Sequence, residues 1–279
     1  MSEYSSSNTP TPHNAATPQD GAATQYGRSF AEVYDEWYPD LNQVELAEFI
    51  ASTLGQNLWI CEIGVGTATV ACELAARGHR VVGIDSSEDM LELAHAKCAG
   101  REWFDSTPPL LVLADASALD PASLRTLRPE GFDVVLLTNN MLFNLLSTDS
   151  QLRCLRSIAA LLASTGALII EAYVPALQPE STKELSTRSV RPDQVVLIAT
   201  ETDVSNQMVS GSHIELRQGS VTLRPWSIHY QSPAQLDVLA SSSGLSCTER
   251  FASASLAPFV VGESQHHVSI YRHASTALQ

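Results

Sequence analysis

Short apolar runs alternate with helical patterns of apolar and polar residues through most of the chain. Residues 58–63 are mostly apolar, which is typical of a short strand buried on both faces. Residues 67–77 carry apolar side chains at helical spacing, and residues 81–84 form a second apolar run that ends in Asp85. The pattern predicts a strand–helix–strand unit. The turn after its first strand would lie where open α/β sheets bind ligands.

The same pattern continues and predicts one large sheet. Further strands are predicted at residues 110–114, 132–137, 167–173, 245–251 and 267–272, with helices at residues 44–54, 87–99, 149–162 and 233–243. Parallel strands joined by helices are covered on both faces of their sheet. We therefore expect an α/β fold in which a Rossmann-like, seven-stranded mixed sheet carries helices on both faces.

Two segments depart from this pattern. Residues 1–24 are mostly small or polar and have few apolar side chains to bury, so a disordered N-terminal tail is predicted. Residues 195–231 alternate apolar and polar side chains and contain turn signals such as Gln218-Gly219, which predicts antiparallel strands. We expect one domain over residues 25–279, in which this small β insertion covers the active site and shapes substrate choice.

Aromatic side chains are concentrated ahead of the first strand. Phe30, Val33, Tyr34, Trp37 and Tyr38 fall at positions i, i+3, i+4, i+7 and i+8, which predicts one face of a single helix. Packing against the core would explain such a face. Four aromatic residues within nine also suit a cover over a flat, cationic ligand.

The composition of the chain limits the kinds of binding partner that we expect. The chain has 279 residues and a net charge of −15, so nucleic acid is not an expected partner, because its binding needs Lys and Arg to neutralise phosphates. No apolar run reaches the length of a membrane span, and we expect a cytoplasmic protein without membrane contact. The five cysteines and eight histidines lack metal-ligand spacing, so no metal is expected. The sequence leaves a homodimer open.

The residues around the first turn distinguish two nucleotide-binding families. A dinucleotide fingerprint requires Gly-x-Gly-x-x-Gly, but Thr69 stands in the place of its last glycine. The chain instead reads Glu62-x-Gly64-x-Gly66-x-Ala68, which resembles the first motif of the S-adenosylmethionine (SAM)-dependent methyltransferases with a Rossmann-like fold. A nicotinamide-dependent reductase is therefore disfavoured. The resemblance implies SAM as the cofactor and S-adenosylhomocysteine as its product.

Later strand ends extend this resemblance. Asp85 ends the second strand, where a carboxylate can accept hydrogen bonds from both hydroxyls of a ribose. Asp115 follows the third strand, where members of the family accept a hydrogen bond from the adenine amino group. The resemblance assigns cofactor binding to Tyr34, Glu62, Gly64, Gly66, Asp85, Ser86, Met90, Asp115, Ala116 and Thr138.

The N-terminal region is similar to the bacterial aminosugar N-methyltransferases of secondary metabolism. That group carries a Tyr eight residues ahead of a Tyr-Asp pair, as Tyr26 stands ahead of Tyr34-Asp35 here. The resemblance implies that Tyr26 lies beside the acceptor atom. The group also has a His after its fourth strand, where this chain has Asn144, which can orient an acceptor but cannot act as a base. Tyr26, Asn140 and Asn144 are the predicted catalytic residues.

The sequence thus predicts methyl transfer from SAM to a nitrogen or oxygen of a small-molecule acceptor, a secondary metabolite. In-line displacement requires the acceptor to be held on the methyl axis and water to be excluded. Glu171 and the segment with Trp226, His229 and Tyr230 are weaker candidates for this site. The alternative keeps the fold but uses the pocket for a non-methylating reaction such as cyclisation, or for binding a partner.

Overall fold

A computed structural model describes residues 22–39, 42–103, 106–176 and 180–274. The helices are α1 (Ala22–Phe30), α2 (Tyr34–Trp37), α3 (Gln43–Thr53), α4 (Thr69–Ala76), α5 (Glu88–Ala99), α6 (Pro121–Arg125), α7 (Thr148–Leu161) and α8 (Pro233–Ser241), with 3₁₀ turns at Ala31–Val33, Ala116–Ala118 and Met141–Asn144. The strands are β1 (Trp59–Ile63), β2 (Arg80–Asp85), β3 (Leu110–Leu113), β4 (Phe132–Leu137), β5 (Leu162–Tyr173), β6 (Thr182–Arg191), β7 (Gln194–Asp203), β8 (Met208–Arg217), β9 (Ser220–His229), β10 (Leu245–Phe251) and β11 (His266–His273).

Seven strands form the main sheet in the order β10-β11-β5-β4-β1-β2-β3. Strands β1 to β5 pair in parallel, while β11 runs antiparallel to both β5 and β10. One face of the sheet buries side chains of α6, α7 and α8, and the other buries side chains of α3, α4 and α5. The predicted seven-stranded mixed sheet with helices on both faces is confirmed.

The topology brings the ends of four parallel strands to one edge of the sheet. Strand β1 lies in the middle, between β2 and β4, and Ile60 and Cys61 on its two faces are fully buried. The chain leaves β1, β2, β3 and β4 at the same edge because all four run in the same direction. The polar residues that follow these strands are therefore gathered into one region.

The aromatic helix ahead of β1 is broken rather than continuous. Residues 30–38 were expected to form one helix, but α1 ends at Phe30 and a 3₁₀ turn separates it from α2. Phe30 and Val33 adopt φ values of −106° and −114°, away from regular helical geometry. Residues 22–24, expected in the tail, belong to α1, and residues 1–21 lie outside the described part of the chain. We call the segment from α1 to α2 the lid helices.

A separate antiparallel sheet is formed by β6, β7, β8 and β9 in sequence order. We call it the small sheet. It begins at Thr182, earlier than the predicted start at residue 195. Strand β6 is an edge strand with mostly exposed, polar side chains, so its sequence lacks the apolar alternation that marks its neighbour β7.

Within the described residues, no helix combines the length and apolar character that crossing a membrane requires.

Candidate functional site

The turn after β1 is fixed by hydrogen bonds to the end of β2. The amides of Gly64 and Val65 both donate to the carbonyl of Ile84, at 2.7 and 2.9 Å. Asp85 accepts from the amide of Gly66 at 2.8 Å through one carboxylate oxygen, and from the amide of Ser87 at 2.9 Å through the other. The Asp85 carboxylate therefore connects the glycine turn to the first residues of α5.

The two glycines of this turn are required by their conformation and by close neighbours. Gly64 and Gly66 have φ values of +76° and +54°, which side chains other than glycine rarely adopt. A Cβ on Gly64 would lie 2.4 Å from Cγ of Met141, which comes from the loop after β4. The absence of a Cβ lets these two loops approach each other and leaves room for a ligand at the backbone.

Glu62 is a buried carboxyl directly below the glycine turn. Its side chain is 2% exposed, and Oε1 accepts from the hydroxyl of Thr138 at 3.3 Å. Oε2 is buried and has no hydrogen-bond partner in the described structure. Burial raises the pKa of Glu62 to about 8, which hydrogen bonds from Thr138 and the backbone of Ala71 only partly offset. An unpaired buried oxygen in a cleft can accept a hydrogen bond from a ligand, because leaving it unsatisfied is costly.

The carboxyl ends of β2 and β3 form the next wall. Ser87 caps α5 by accepting from the amide of Met90 at 3.3 Å, and the Met90 side chain is turned inward and buried. Asp115 caps the 3₁₀ turn that follows β3 by accepting from the amide of Ser117 at 2.7 Å. Ser86 and Ala116 lie beside these caps and line the same cleft.

The lid helices close the cleft from above and are tied to the glycine turn. Tyr26 stacks on Phe30 with ring centroids 4.4 Å apart, and a Cβ on Gly66 would lie 3.8 Å from the Tyr34 ring. The hydroxyl of Thr67 donates to Asp35 at 2.6 Å, and Lys97 contacts the same carboxylate at 2.9 Å. Burial raises the pKa of Tyr26 well above its ordinary value, so its phenol is neutral at physiological pH.

The loop after β4 supplies the remaining wall. Asn139, Met141, Asn144 and Leu145 line the cleft. Asn140 does not, because its amide oxygen accepts from the backbone amide of Tyr173 at 2.7 Å and so links the loop to β5. Asn139, Asn140 and the 3₁₀ turn after them give the loop its tight geometry, since both asparagines have positive φ.

These walls enclose one cleft with about 960 Å³ of empty space, part of it open to solvent. Every predicted site residue except Asn140 lines it, namely Tyr26, Tyr34, Glu62, Gly64, Gly66, Asp85, Ser86, Met90, Asp115, Ala116, Thr138 and Asn144. The weaker candidates stand outside this lining. Glu171 accepts from the amide of Asn139 at 3.4 Å, and burial raises its pKa. Trp226 packs among the aromatic side chains of the lid helices.

Comparison with known proteins identifies the family. The family model described as a methyltransferase domain matches residues 60–166. The CcbJ methyltransferase from Streptomyces caelestis is 34% identical and superposes with a TM-score of 0.82, over 91% of this chain and 99% of CcbJ. The chain belongs to the SAM-dependent methyltransferases. Its cofactor is SAM, as the motif around Gly64 and Gly66 implied.

Two further relatives of the methyltransferase are more distant. A SAM-dependent methyltransferase from Clostridium acetobutylicum ATCC 824 shares the fold at 14% identity, with a TM-score of 0.70 over 88% of this chain and 98% of that chain. The protein YqeM of Bacillus subtilis (strain 168) is 26% identical over 146 residues, which are 52% of this chain and 55% of YqeM. The aligned part of this chain therefore spans about half the length of YqeM.

The residues present in this methyltransferase fit SAM. The unpaired Oε2 of Glu62 is an acceptor for a donor such as an amino group, and the glycine turn leaves space that a Cβ would fill. The carboxylates of Asp85 and Asp115 lie at neighbouring strand ends and line the cleft beside Glu62. The cleft is acidic and is closed by the tyrosines of the lid helices, which suits a cationic cofactor.

Several lining residues of the methyltransferase escaped the sequence analysis. Gly27 lets α1 approach α5, since a Cβ there would lie 2.3 Å from Cβ of Ser87, and a lone glycine after Tyr26 gave no sign of this contact. Thr69, which argued against a dinucleotide, accepts a hydrogen bond from Lys97 at 2.6 Å. Met141 and Leu145 are apolar loop residues whose position depends on tertiary packing, so no local pattern distinguishes them from core residues.

Proposed function

We propose that this methyltransferase transfers the methyl group of SAM to a nitrogen of a small-molecule amine, by in-line displacement. The observation that carries the proposal is that Tyr26 and Asn144, the residues assigned to the acceptor, offer no base, while the carboxyls that line the cleft, Glu62, Asp85 and Asp115, are assigned to the cofactor. Tyr26 has a raised pKa and stays protonated, and Asn144 has an amide that does not titrate. A neutral amine brings its own lone pair and needs no base before attack, whereas an alcohol does.

Charge supports the same choice of acceptor. No Lys or Arg lines the cleft among the described residues, while Glu62, Asp85 and Asp115 do. A carboxylate acceptor would meet repulsion there, and an amine would not. Bound SAM supplies an electrophilic methyl group, and its sulfur leaves as a neutral thioether. The amine then carries the positive charge and loses its extra proton to water.

The acceptor end of the cleft is assigned to Tyr26 and Asn144. Both side chains can hydrogen-bond and both line the cleft, one from α1 and the other from the 3₁₀ turn after β4. Their role is to orient the nitrogen on the methyl axis, and the lid helices exclude water from it. Asn140 acts through the backbone of Tyr173 and positions the loop. The class of acceptor, a secondary metabolite, rests on the resemblance to aminosugar N-methyltransferases.

To test this proposal, the protein is incubated with SAM that carries a labelled methyl group and with sets of acceptors that differ only in the acceptor group. Each amine is paired with the alcohol and the carboxylic acid of the same skeleton, and label in the product is followed by mass spectrometry. We expect label in the amines alone, at a rate that rises with pH as each amine loses its own proton. Equal labelling of the alcohols would overturn the choice of nitrogen. A product formed without label would favour the non-methylating alternative instead.

A further inference from the structure

Lys97 makes a set of polar contacts behind the glycine turn that the proposed methyl transfer does not use. Its ammonium group lies 2.9 and 3.0 Å from the two carboxylate oxygens of Asp35. It also donates to the hydroxyls of Thr67 at 2.9 Å and Thr69 at 2.6 Å. An ammonium group has three hydrogens to donate, and these three partners are enough to use all of them.

These four residues come from three parts of the fold, and we call them the lid latch. Asp35 lies on α2 of the lid helices, Lys97 lies in the last turn of α5, and Thr67 and Thr69 lie between β1 and the first turn of α4. The hydroxyl of Thr67 accepts from Lys97 and donates to Asp35 at 2.6 Å. The lid latch therefore joins the lid helices to the glycine turn and to α5 at one point.

Most other polar contacts of the lid helices lead to the small sheet. Three arginines of that sheet bind them, namely Arg188 to the carbonyl of Trp37, Arg191 to Glu36 and Arg224 to the carbonyl of Ser29. Towards α5 the lid helices have a further ion pair, between Arg28 and Asp89 at 3.7 Å, but both side chains are largely exposed. Exposed ion pairs contribute little. The lid latch is therefore the main polar connection between the lid helices and the glycine turn among the described residues.

We propose that the lid latch controls how fast SAM enters and leaves the cleft. Tyr34 directly precedes Asp35 and lines the cleft, and its ring lies 3.8 Å from the place that a Cβ on Gly66 would take. A cofactor bound against the glycine turn lies beneath this ring, so the lid helices have to move for it to exchange. Lys97 and Asp35 lie outside the lining of the cleft, so they hold the lid without touching the cofactor. Lys97 is thus a positioning residue.

A latch and a direct contact with the cofactor have different kinetic signatures. Loss of a direct contact speeds the dissociation of SAM alone and raises its dissociation constant by the same factor. Loss of a latch makes opening of the lid easier both with and without SAM. Association and dissociation then both become faster, and the dissociation constant changes much less than either rate constant. Measuring both rate constants therefore separates the two roles.

The experiment compares the full-length wild type with Lys97→Met, which keeps most of the apolar stem and removes the ammonium group. Stopped-flow tryptophan fluorescence measures the association of SAM, and a chase of labelled SAM with excess unlabelled SAM measures its dissociation. We expect both rate constants to rise by roughly threefold to tenfold in the variant, because a partly exposed ion pair with hydrogen bonds is lost. Added NaCl should speed dissociation from wild type, by screening Lys97 from Asp35, and should change Lys97→Met little.

Asp35→Ala removes the same contact from the side of the lid helices and leaves Lys97 bonded to the two threonines. It should speed both steps as Lys97→Met does, and the double variant should be no faster than either single one, because all three lack the same ion pair. Lys183→Met is the matched control, since Lys183 forms an exposed ion pair with Glu201 at 3.2 Å on the small sheet. It should exchange SAM at the rates of wild type.

Thermal midpoints and circular dichroism spectra show whether each variant is folded, and Asp35→Ala provides the test if Lys97→Met is not. Unchanged rate constants in the folded variants overturn the proposal. So does faster dissociation with an equal rise in the dissociation constant, which would mean that Lys97 acts on the bound cofactor itself. No acceptor is present in these measurements, so their result does not depend on whether the acceptor atom is nitrogen.

Discussion

At the level of single residues, Glu62 belongs to strand β1 and places its carboxyl group in the cleft. A carboxyl near the end of a buried strand is unfavourable unless something compensates for its lost hydration. Thr138 provides one hydrogen bond, and the second oxygen has no hydrogen-bond partner among the described residues. The same residue is therefore expected to lower the stability of the free protein and, in the proposed site, to contribute to the affinity for SAM.

Binding of SAM is expected to release a proton from Glu62. With a pKa of about 8 the free carboxyl is mostly protonated at pH 7, and a cationic amino group of the cofactor beside it would favour the carboxylate. The dissociation constant for SAM should therefore fall by up to about tenfold per unit as the pH rises from 6 towards 8. Calorimetry in buffers of different ionisation enthalpy measures the released proton directly.

Glu62→Gln removes the titrating group and keeps the shape of the side chain. The variant should bind SAM more weakly and without proton release. Thr138→Val is the comparison, because it keeps the carboxyl and removes only its hydrogen-bond donor. A wild type that binds SAM without taking up or releasing protons at pH 7 would contradict this role for Glu62.

At the scale of elements, a buried amide network connects the loop after β4 to the small sheet. The side-chain amide of Gln151 on α7 donates to the carbonyls of Leu145 at 3.1 Å and His229 at 2.7 Å. Its oxygen accepts from Gln231 at 3.0 Å. Gln151 is fully buried, and its neighbour in this network, Leu145, directly follows Asn144. The network sets the position of the loop after β4, which we propose to hold the acceptor, relative to β9.

Gln151→Met keeps the length of the side chain but leaves these partners unsatisfied. Each orphaned buried group costs about 1–3 kcal/mol of unfolding free energy, which urea denaturation measures. Because Asn144 loses its support, KM for the acceptor should rise more than the dissociation constant for SAM. Leu152→Met on the same helix lacks these hydrogen bonds and should change neither constant. Equal stability and equal KM in Gln151→Met and wild type would refute the proposed positioning role.

A comparison of individual strands shows which of them the sequence could predict. Buried parallel strands such as β4 have an unmistakable apolar run, and residues 132–137 match the structure at both ends. Strand β6 has no such run because one face of it is open and its side chains are polar, so pairing with β7 alone determines that it is a strand. Gln151 is hydrogen-bonded to His229 and Gln231, which lie 78 and 80 positions further along the chain. No local sequence pattern reveals contacts over such a separation.

At the scale of the whole molecule, the small sheet and the lid helices form one packed unit over the cleft. His213 on β8 packs edge-on against Phe30 at 5.1 Å and stacks on Trp37 at 5.4 Å. Arg224 donates to the carbonyl of Ser29 at 2.7 Å and pairs with the buried Glu215 at 3.1 Å. The cofactor motifs were recognisable because they are local, whereas this docking of β8 and β9 on the lid arises only in the folded chain.

Acid is expected to loosen this unit through His213. Burial and the nearby Arg188 and Arg224 lower its pKa from 6.5 to about 4. The unfolded chain binds a proton below pH 6.5 and the folded chain does not, so stability falls as the pH drops from 6.5 towards 4, by at most about 1.4 kcal/mol per pH unit. Urea denaturation at several pH values should give a shallower dependence for His213→Phe. Identical slopes would show that His213 does not contribute.

Calorimetric titration shows whether this cleft binds SAM and its demethylated product. The wild-type chain should bind SAM and S-adenosylhomocysteine at the same single site, with micromolar dissociation constants that correspond to a binding free energy of about 8 kcal/mol. Asp85→Ala removes the carboxylate that holds Gly66 and Ser87 and should weaken the binding of both ligands. If the wild-type protein bound neither ligand, the account of the cleft would be wrong.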